Sequence, residues 1–246
     1  MTVVTDTLTS PRSLTPSVPR GRQRHVPTSA APLIVRTPQH LAGLVTAFAV
    51  LAVTVYWAND VLVRLVDHPI ESWVIDQRTR TMDHIVRRIS FLGSSQVVYT
   101  LGPLLGLIAL ARCRVAGATI LAVTALRPLV EFTGKLVVGR PRPNIDRMVN
   151  GVGYSFPCGH VMAAAALWGM VPLVVSLYVS SRRVWRICAI ASVAMIVAIG
   201  STRVYLGVHW PSDVVAGVLA DLVLLTVLDR AFHRIHDRRH CRISHS

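Results

Sequence analysis

The chain has 246 residues, and its composition argues against most classes of soluble protein. Apolar residues, counted as Ala, Val, Ile, Leu, Met, Phe, Trp, Tyr and Cys, make up 52% of the sequence. Asp, Glu, Lys and Arg together make up only 15%, against about 25% in a typical soluble domain. So little charge cannot cover a globule this apolar, which disfavours a soluble enzyme, a disordered protein and a disulfide-stapled secreted module. The composition predicts an integral membrane protein.

The charge of the chain is strongly basic, with 26 Lys and Arg residues against 12 Asp and Glu and a net charge of +14. Such a charge suits nucleic acid only when it forms one stripe on a soluble face. Here the basic residues stand in short clusters between long apolar runs, as in membrane proteins with positive cytoplasmic loops. We therefore expect a membrane, and no nucleic acid, as the partner. The cysteines show no metal-ligand spacing and no evident pairing.

The first 40 residues predict a disordered cytoplasmic tail. Thr, Ser, Pro and Arg fill 22 of these positions without apolar periodicity, so the segment cannot bury enough surface to offset its ordering entropy. Residues 41–230 are assigned to one membrane domain, and residues 231–246 to a basic cytoplasmic tail.

Six apolar runs predict an all-α, six-span transmembrane helical bundle. The runs are residues 41–57, 97–111, 115–138, 161–179, 184–200 and 214–228. Both tails and the turns after the second and fourth spans are rich in arginine, so the positive-inside rule places all four in the cytoplasm. The loops on the opposite side, which also carry arginines, are expected to hold the functional residues outside the cytoplasm.

The segment from Lys135 to Pro143 ends the third span. Lys135 is the only lysine of the chain, which indicates a role for a compact ammonium group. Gly139 and the prolines after it are expected to end the helix, so that Arg142 can fold back over the membrane surface. A snorkelling lysine with a basic cap is the alternative for this segment alone.

The segment from Tyr154 to His160 opens the fourth span. Pro157 and Gly159 directly before an apolar helix leave its first amides without intrahelical partners. Free amides and the helix dipole together form an anion site, and His160 would stand beside the bound anion. Taken alone, a single interfacial histidine says little.

The segment from Ser201 to Asp213 leads into the sixth span. His209 and Asp213 are four residues apart, and Pro211 suits the first turn of a helix. This spacing stacks both side chains on one face, so the carboxylate can hold one imidazole nitrogen and leave the other as a nucleophile. An ordinary polar pair at a helix end is the alternative.

The predicted topology places all three segments on the extracytoplasmic side. Their cations, histidines, aspartate and helix N-terminus form a set that suits a phosphoryl group. In this order, Lys-x6-Arg-Pro, a Pro-Ser-Gly-His variant and Ser-x-Arg-x5-His-x3-Asp resemble the three signature motifs of the type 2 phosphatidic acid phosphatase (PAP2) superfamily. The resemblance covers residues 135–213 in detail, and the six-span layout extends it over 41–228.

The resemblance implies a membrane-bound lipid phosphate phosphatase that needs no metal or other cofactor. His209 would attack phosphorus to form a phosphohistidine, with Asp213 holding its tautomer. His160 would protonate the leaving alkoxide and then activate water. The phosphate would be bound by Lys135, Arg142, Arg203, Cys158 and Gly159.

One residue departs from the family pattern, which has serine where this chain has Cys158. A thiol is bulkier and a weaker hydrogen-bond donor than a hydroxyl, and cationic neighbours would lower its pKa. We expect Cys158→Ser to keep or raise turnover.

The substrate is predicted only as the phosphomonoester or diphosphate of a lipid. The alternatives are a diphosphatase acting on a polyprenyl carrier lipid, a lipid headgroup phosphotransferase in which an alcohol replaces water, and a non-catalytic transporter or scaffold with a degenerate site. The sequence predicts neither the lipid headgroup nor the oligomeric state.

Three further features carry weaker expectations. Arg127, Glu131 and Lys135 recur every four residues and predict a charge ladder that orients the lysine. Residues 67–88 predict either an interfacial helix over the site entrance or a plain loop. The histidines near the C-terminus and Cys241 are interpreted as a solvated tail and not as a metal site.

Overall fold

The computed structural model describes residues 38–239, which form helices joined by loops, with no strand among them. The predicted N-terminal tail up to residue 37 and the chain from residue 240 onward, including Cys241, lie outside the described residues. The elements are α1 (Pro38–Leu62), a π-helical segment (Val63–Asp67), α2 (His68–Asp76), α3 (Arg80–Phe91), α4 (Ser95–Leu110), α5 (Arg114–Val138), α6 (Gly159–Trp168), α7 (Val171–Tyr178), α8 (Arg182–Tyr205) and α9 (Pro211–Arg239).

The first helix runs well beyond the apolar segment that predicted it. After Leu62 the chain passes through the π-helical segment directly into α2. Single π-helical turns within helices are rare and are frequently found at functional sites. This one ends at Asp67, which is completely buried although it is charged.

The described chain contains four helical segments that are long and apolar enough to cross a membrane. These are Pro38–Asp76, Gly159–Tyr178, Arg182–Tyr205 and Pro211–Leu228. Helices α3 and α4 meet at a bend of 41° and would together make a fifth. An all-helical membrane fold is thereby confirmed, while the six predicted spans exceed this count and stay a prediction.

Helix α6 lies at the centre of the bundle, in contact with α4, α5, α8 and α9. Every residue from Val161 to Leu167 on it is buried. Four of these are consecutive alanines, and small side chains let neighbouring helices approach closely. The remainder of this predicted span forms α7, after a break at Gly169 and Met170.

Three helix ends meet at the loops that carry the motifs. The C-terminal end of α5 and the N-terminal ends of α6 and α9 are joined by loop hydrogen bonds, including Cys158 N to the Asp213 carbonyl at 3.1 Å. As predicted, α5 ends at Gly139, whose φ of +63° is left-handed, a conformation that costs glycine little. Helix α9 begins at Pro211, also as predicted.

The segment predicted as an interfacial helix or a loop is mostly helical, and α3 within it is amphipathic. Thr79 caps this helix by accepting from the Met82 amide at 3.3 Å, while Arg80 and Ile85 are exposed. Asp83 accepts from the Tyr205 hydroxyl at 2.8 Å. This hydrogen bond holds α3 against the C-terminal end of α8, close to the N-terminal ends of α6 and α9.

Candidate active site

The loop between α8 and α9 presents His209 with only 2% of the residue exposed. Its Nδ1 lies 3.5 Å from Asp213 Oδ2, an ion-pair distance longer than a strong hydrogen bond. Its Nε2 lies 3.1 Å from Arg142 Nη1. Because a guanidinium can only donate, Nε2 accepts in this contact, and the proton of the neutral ring sits on Nδ1 facing Asp213. Nε2 is therefore the ring nitrogen that carries the lone pair, and in this structure that lone pair accepts from Arg142.

Asp213 is completely buried, and both carboxylate oxygens are held. Oδ1 accepts from Arg140 Nη1 at 2.7 Å, and Oδ2 accepts from the Trp210 amide at 3.0 Å. These contacts orient the carboxylate before it meets the His209 ring.

Arg140 is a residue of this site that the sequence analysis did not single out. It is 2% exposed and donates to Asn59 Oδ1 at 2.8 Å, Ser212 Oγ at 2.7 Å and Asp67 Oδ2 at 2.6 Å, in addition to Asp213. Arg140 lies inside the segment from Lys135 to Pro143, two residues before Arg142, and that position was the sole sequence signal. Asp67 lies far from every motif and gave none.

Arg142 folds back as predicted, but its donors are already engaged by protein acceptors. Besides His209, the guanidinium donates to backbone carbonyls at 2.8 to 3.2 Å. The acceptors are Val152, Gly153, Tyr154 and Val208. Burial lowers the pKa of Arg142, opposed by the facing Cys158 and Asp213. Arg142 therefore fastens the loop before α6 to the loop that carries His209.

The predicted charge ladder on α5 is present as a chain of two ion pairs. Glu131 lies 2.6 Å from Lys135 Nζ and 2.6 Å from Arg127 Nη1. Arg127, which is 2% exposed, also donates to the Gly159 carbonyl at 3.3 Å. Since an ammonium has three donors, Lys135 retains donors for an oxyanion while Glu131 fixes its direction.

Gly159 begins α6 in direct contact with this ladder. A Cβ atom at this position would lie 1.9 Å from Glu131 Oε1, so only glycine lets the carboxylate reach the start of the helix. His160 follows and is half-buried. The charged groups acting on its ring include Arg203, His209 and Lys135.

Arg203, near the end of α8, is 7% exposed and donates to the Ser90 hydroxyl of α3 at 2.8 Å. Its Nε has no hydrogen-bond partner within the described chain. Ser90 is a third residue that the sequence analysis missed, because nothing local marks a serine on another helix as the partner of an arginine.

Cys158 is completely buried between His209 and Arg203. Burial opposes ionisation of its thiol, but the charges of His209 and Arg203 outweigh burial and lower the pKa of Cys158. Burial likewise opposes protonation of the His209 ring, but Cys158 and Asp213 outweigh it and raise the pKa of His209. The departure from the family serine thus places an ionisable thiol against the proposed nucleophile.

Comparison with known proteins agrees with the family that the three motifs predicted. The PAP2 superfamily profile matches residues 115–237, which contain all three motifs. Phosphatidylglycerophosphatase B of Bacillus subtilis (strain 168) is 30% identical over 165 residues, covering 66% of this chain and 81% of that protein. The chain belongs to the PAP2 superfamily.

Solved structures show the same fold. The crystal structure of a transmembrane PAP2-type phosphatidylglycerolphosphate phosphatase from Bacillus subtilis superposes with a TM-score of 0.73 at 24% identity, covering 79% of this chain and 96% of that one. Aquifex aeolicus LpxE gives a TM-score of 0.53 at 21% identity, covering 66% and 94%. The prediction of a PAP2-type phosphatase is confirmed, and the roles of single side chains stay predictions.

Replacing Gly159 by alanine is expected to displace Glu131. The carboxylate cannot yield without stretching its ion pairs to Arg127 and Lys135. We therefore expect Gly159→Ala to lower kcat/KM by at least about tenfold, or ~1.4 kcal/mol of transition-state stabilisation. The matched control is Gly43→Ala, where a Cβ would meet nothing within 4 Å. Wild-type kcat/KM in Gly159→Ala would contradict this account of the glycine.

Replacing Cys158 by serine is expected to shift the pH dependence of the reaction. With His209 as the predicted nucleophile, only the neutral imidazole can attack phosphorus, so we expect activity to fall as the pH drops through the pKa of His209. The thiolate raises that pKa, and an uncharged serine would not, so the acid limb of kcat/KM should move to lower pH. Cys188→Ser, on the half-buried cysteine of α8, is the control that should leave the profile in place. An acid limb that stays put or moves upward in Cys158→Ser would refute the argument.

Proposed function

We propose that this protein is an integral membrane phosphatase that hydrolyses the phosphomonoester or diphosphate of a lipid through a phosphohistidine intermediate. One observation carries the proposal. The unprotonated Nε2 of a buried His209, backed by Asp213, faces Arg142 at 3.1 Å. The proposed nucleophile therefore lies between a carboxylate that can orient it and a cation that can bind phosphate.

The first step transfers the phosphoryl group to the enzyme. Nε2 of His209 attacks phosphorus, a P–N bond forms, and the P–O bond to the lipid alkoxide breaks. The proton on Nδ1 stays there, and Asp213 stabilises the positive charge that develops on the ring. His160, at the mouth of α6, donates a proton to the leaving alkoxide.

The second step returns the enzyme to its starting state. His160, now neutral, takes a proton from water as the water oxygen attacks phosphorus, and the P–N bond to His209 breaks. Inorganic phosphate leaves, and the proton on His160 is restored for the next cycle.

The charge on the phosphoryl oxygens is neutralised by Lys135, Arg142 and Arg203, together with the first amides of α6 that follow Cys158 and Gly159. On binding, a phosphate oxygen takes the Arg142 Nη1 contact that His209 Nε2 accepts in the free enzyme. Three fixed cations can supply the stabilisation that other phosphatases take from metal ions, so we propose that the reaction needs no metal.

A lipid phosphomonoester is the first substrate to test. The relative that shares 30% identity carries the name phosphatidylglycerophosphatase B, and a phosphatidylglycerophosphate headgroup presents a terminal phosphate to water. A lipid diphosphate would also place a terminal phosphate at the site, so the proposal includes hydrolysis of lipid diphosphates.

We also propose six spans, with both termini in the cytoplasm and the site outside. The 24 residues of α8 extend about 36 Å, enough to cross the hydrocarbon core. The basic cluster that begins at Arg182 therefore lies at the opposite end of α8 from Arg203. That cluster faces the cytoplasm by the positive-inside rule, which leaves Arg203 and the site on the other side.

Loss of the nucleophile tests the proposed reaction. Purified protein in detergent is assayed for phosphate release from a panel of lipid mono- and diphosphates. We expect His209→Ala to lose at least about a thousandfold in kcat, while His84→Ala, an exposed histidine on α3, keeps the wild-type rate. Wild-type activity in His209→Ala would overturn the assignment of the nucleophile.

Two further readouts separate the alternatives. A covalent phosphoenzyme that is labile in acid and stable in alkali is expected in the wild type and absent from His209→Ala. Transfer of the phosphoryl group to an added alcohol, in place of release, would identify a phosphotransferase. Loss of activity in EDTA that added metal restores would show the metal-free chemistry to be wrong.

Cysteine labelling tests the topology. Arg80 on α3 and Arg183 on α8 are exposed and lie on opposite sides of the proposed membrane. We expect a membrane-impermeant maleimide to label Arg80→Cys in intact cells and Arg183→Cys only after permeabilisation. The reverse pattern would show that the orientation is inverted.

A further inference from the structure

Two buried carboxylates share one arginine beside the proposed nucleophile. Arg140 contacts Asp213 Oδ1 at 2.7 Å and Asp67 Oδ2 at 2.6 Å. Asp67 and Asp213 are completely buried, and Arg140 is 2% exposed. Buried ions are costly unless they are paired and hydrogen-bonded, so the arginine and the two carboxylates form one interdependent cluster.

Asp67 also binds the start of the helix that carries Asp213. Its Oδ1 accepts from the Ser212 amide at 2.9 Å, and its Oδ2 accepts from the Ser212 hydroxyl at 2.7 Å. A carboxylate at a helix N-terminus satisfies a free amide and stabilises the helix dipole. Asp67 therefore caps α9 from a distant part of the chain, in the same turn as Asp213.

The origin of this carboxylate in the sequence is informative. Asp67 ends the π-helical segment between α1 and α2, whereas the PAP2 profile match begins at residue 115. Helix α1, which precedes this segment, also contacts Arg140, because Asn59 Oδ1 accepts from Arg140 Nε at 2.8 Å. The first helix of the chain is thus joined to the active site by polar contacts as well as by apolar packing.

We propose that Asp67 and Arg140 are positioning residues for His209: Arg140 holds the Asp213 carboxylate ionised, and Asp67 holds Arg140 and the start of α9 so that this carboxylate is aimed at the imidazole ring. This inference rests on the proposed function, in which His209 is the nucleophile. Neither residue touches the substrate, so both act on the rate of the chemical step and not on binding.

The pair has a testable electrostatic signature. The charged and titratable groups around His209 are Arg142 after α5, Cys158 and His160 at the start of α6, Arg203 on α8 and Asp213 on α9. Arg140 lies behind Asp213, and Asp67 also interacts with the buried Glu71 of α2. Removing the negative charge of Asp67 makes the electrostatic potential at His209 more positive, which disfavours the protonated form of its ring. Removing the positive charge of Arg140 has the opposite effect.

Kinetics over a range of pH on the purified full-length protein, with a lipid phosphomonoester as substrate, test the proposal. For Asp67→Asn we expect kcat to fall about tenfold with KM within about twofold of wild type. Its acid limb should move to lower pH by at least about half a unit. For Arg140→Gln we expect a larger fall in kcat and an acid limb moved to higher pH.

Two further variants separate charge from geometry. Asp67→Asn combined with Arg140→Gln restores the net charge of the cluster, so its acid limb should return toward the wild-type position while kcat stays low. Arg140→Lys keeps the charge but loses the planar fork, so it should lower kcat without moving the limb. Exposed residues supply the matched controls, Asp76→Asn on α2 and Arg80→Lys on α3, which should leave both parameters unchanged.

The outcomes are distinguishable. Acid limbs that do not move, or that move in the same direction in Asp67→Asn and Arg140→Gln, would overturn the positioning role. If those charge-changing variants do not fold, Arg140→Lys and Ser212→Ala decide, since each keeps every charge of the cluster, and a wild-type kcat in both would refute the proposal. Activity retained in His209→Ala would instead defeat the proposed function itself, whatever the cluster variants show.

Discussion

Charge compensation inside an apolar bundle is the constraint on which the site depends. An unpaired buried ion costs several kcal/mol, and two buried arginines near the site have carboxylate partners. Arg140 lies between two carboxylates, and Arg127 lies against Glu131. Because the partners of Arg140 come from the π-helical segment and from α9, forming these pairs also fixes how those elements are placed relative to one another. The geometry of the phosphate site is thus set by electrostatics within the fold.

Helix ends, and not helix faces, supply the chemistry. The N-termini of α6 and α9 both carry positive dipole ends, which suit an anion. Gly159 lets Glu131 approach the first of these ends, and Asp67 occupies the second. The two N-termini are consequently used differently, since the first stays available to an anionic substrate while the second is already capped by a carboxylate of the protein.

The residues that the sequence could predict are those with local signals. The i, i+4 spacing of Glu131 with Lys135 places both on one face of α5, and the structure pairs them. His209 and Asp213, also four residues apart, are paired although His209 lies in the loop before α9 and not on the helix. Asp67, Ser90 and Arg140 escaped notice because their partners lie 72 to 145 residues away in sequence, where periodicity carries no information. The continuous helical stretch beyond residue 57 was not predicted, because the end of α1 and the π-helical segment after it contain too many polar residues to extend an apolar run.

Arginine on the proposed outer side conflicts with the positive-inside rule, and the structure accounts for much of that conflict. Arg78 donates to the Tyr205 and Asp146 carbonyls, and Arg87 donates to the Met148 carbonyl. Arg142 similarly binds four carbonyls around the site. A guanidinium offers five donors to loop backbone that has no helical partners, which an ammonium could not match. These arginines therefore hold in place the loops that carry the site. The membrane orientation must then follow from the larger number of basic residues on the opposite, proposed cytoplasmic, side.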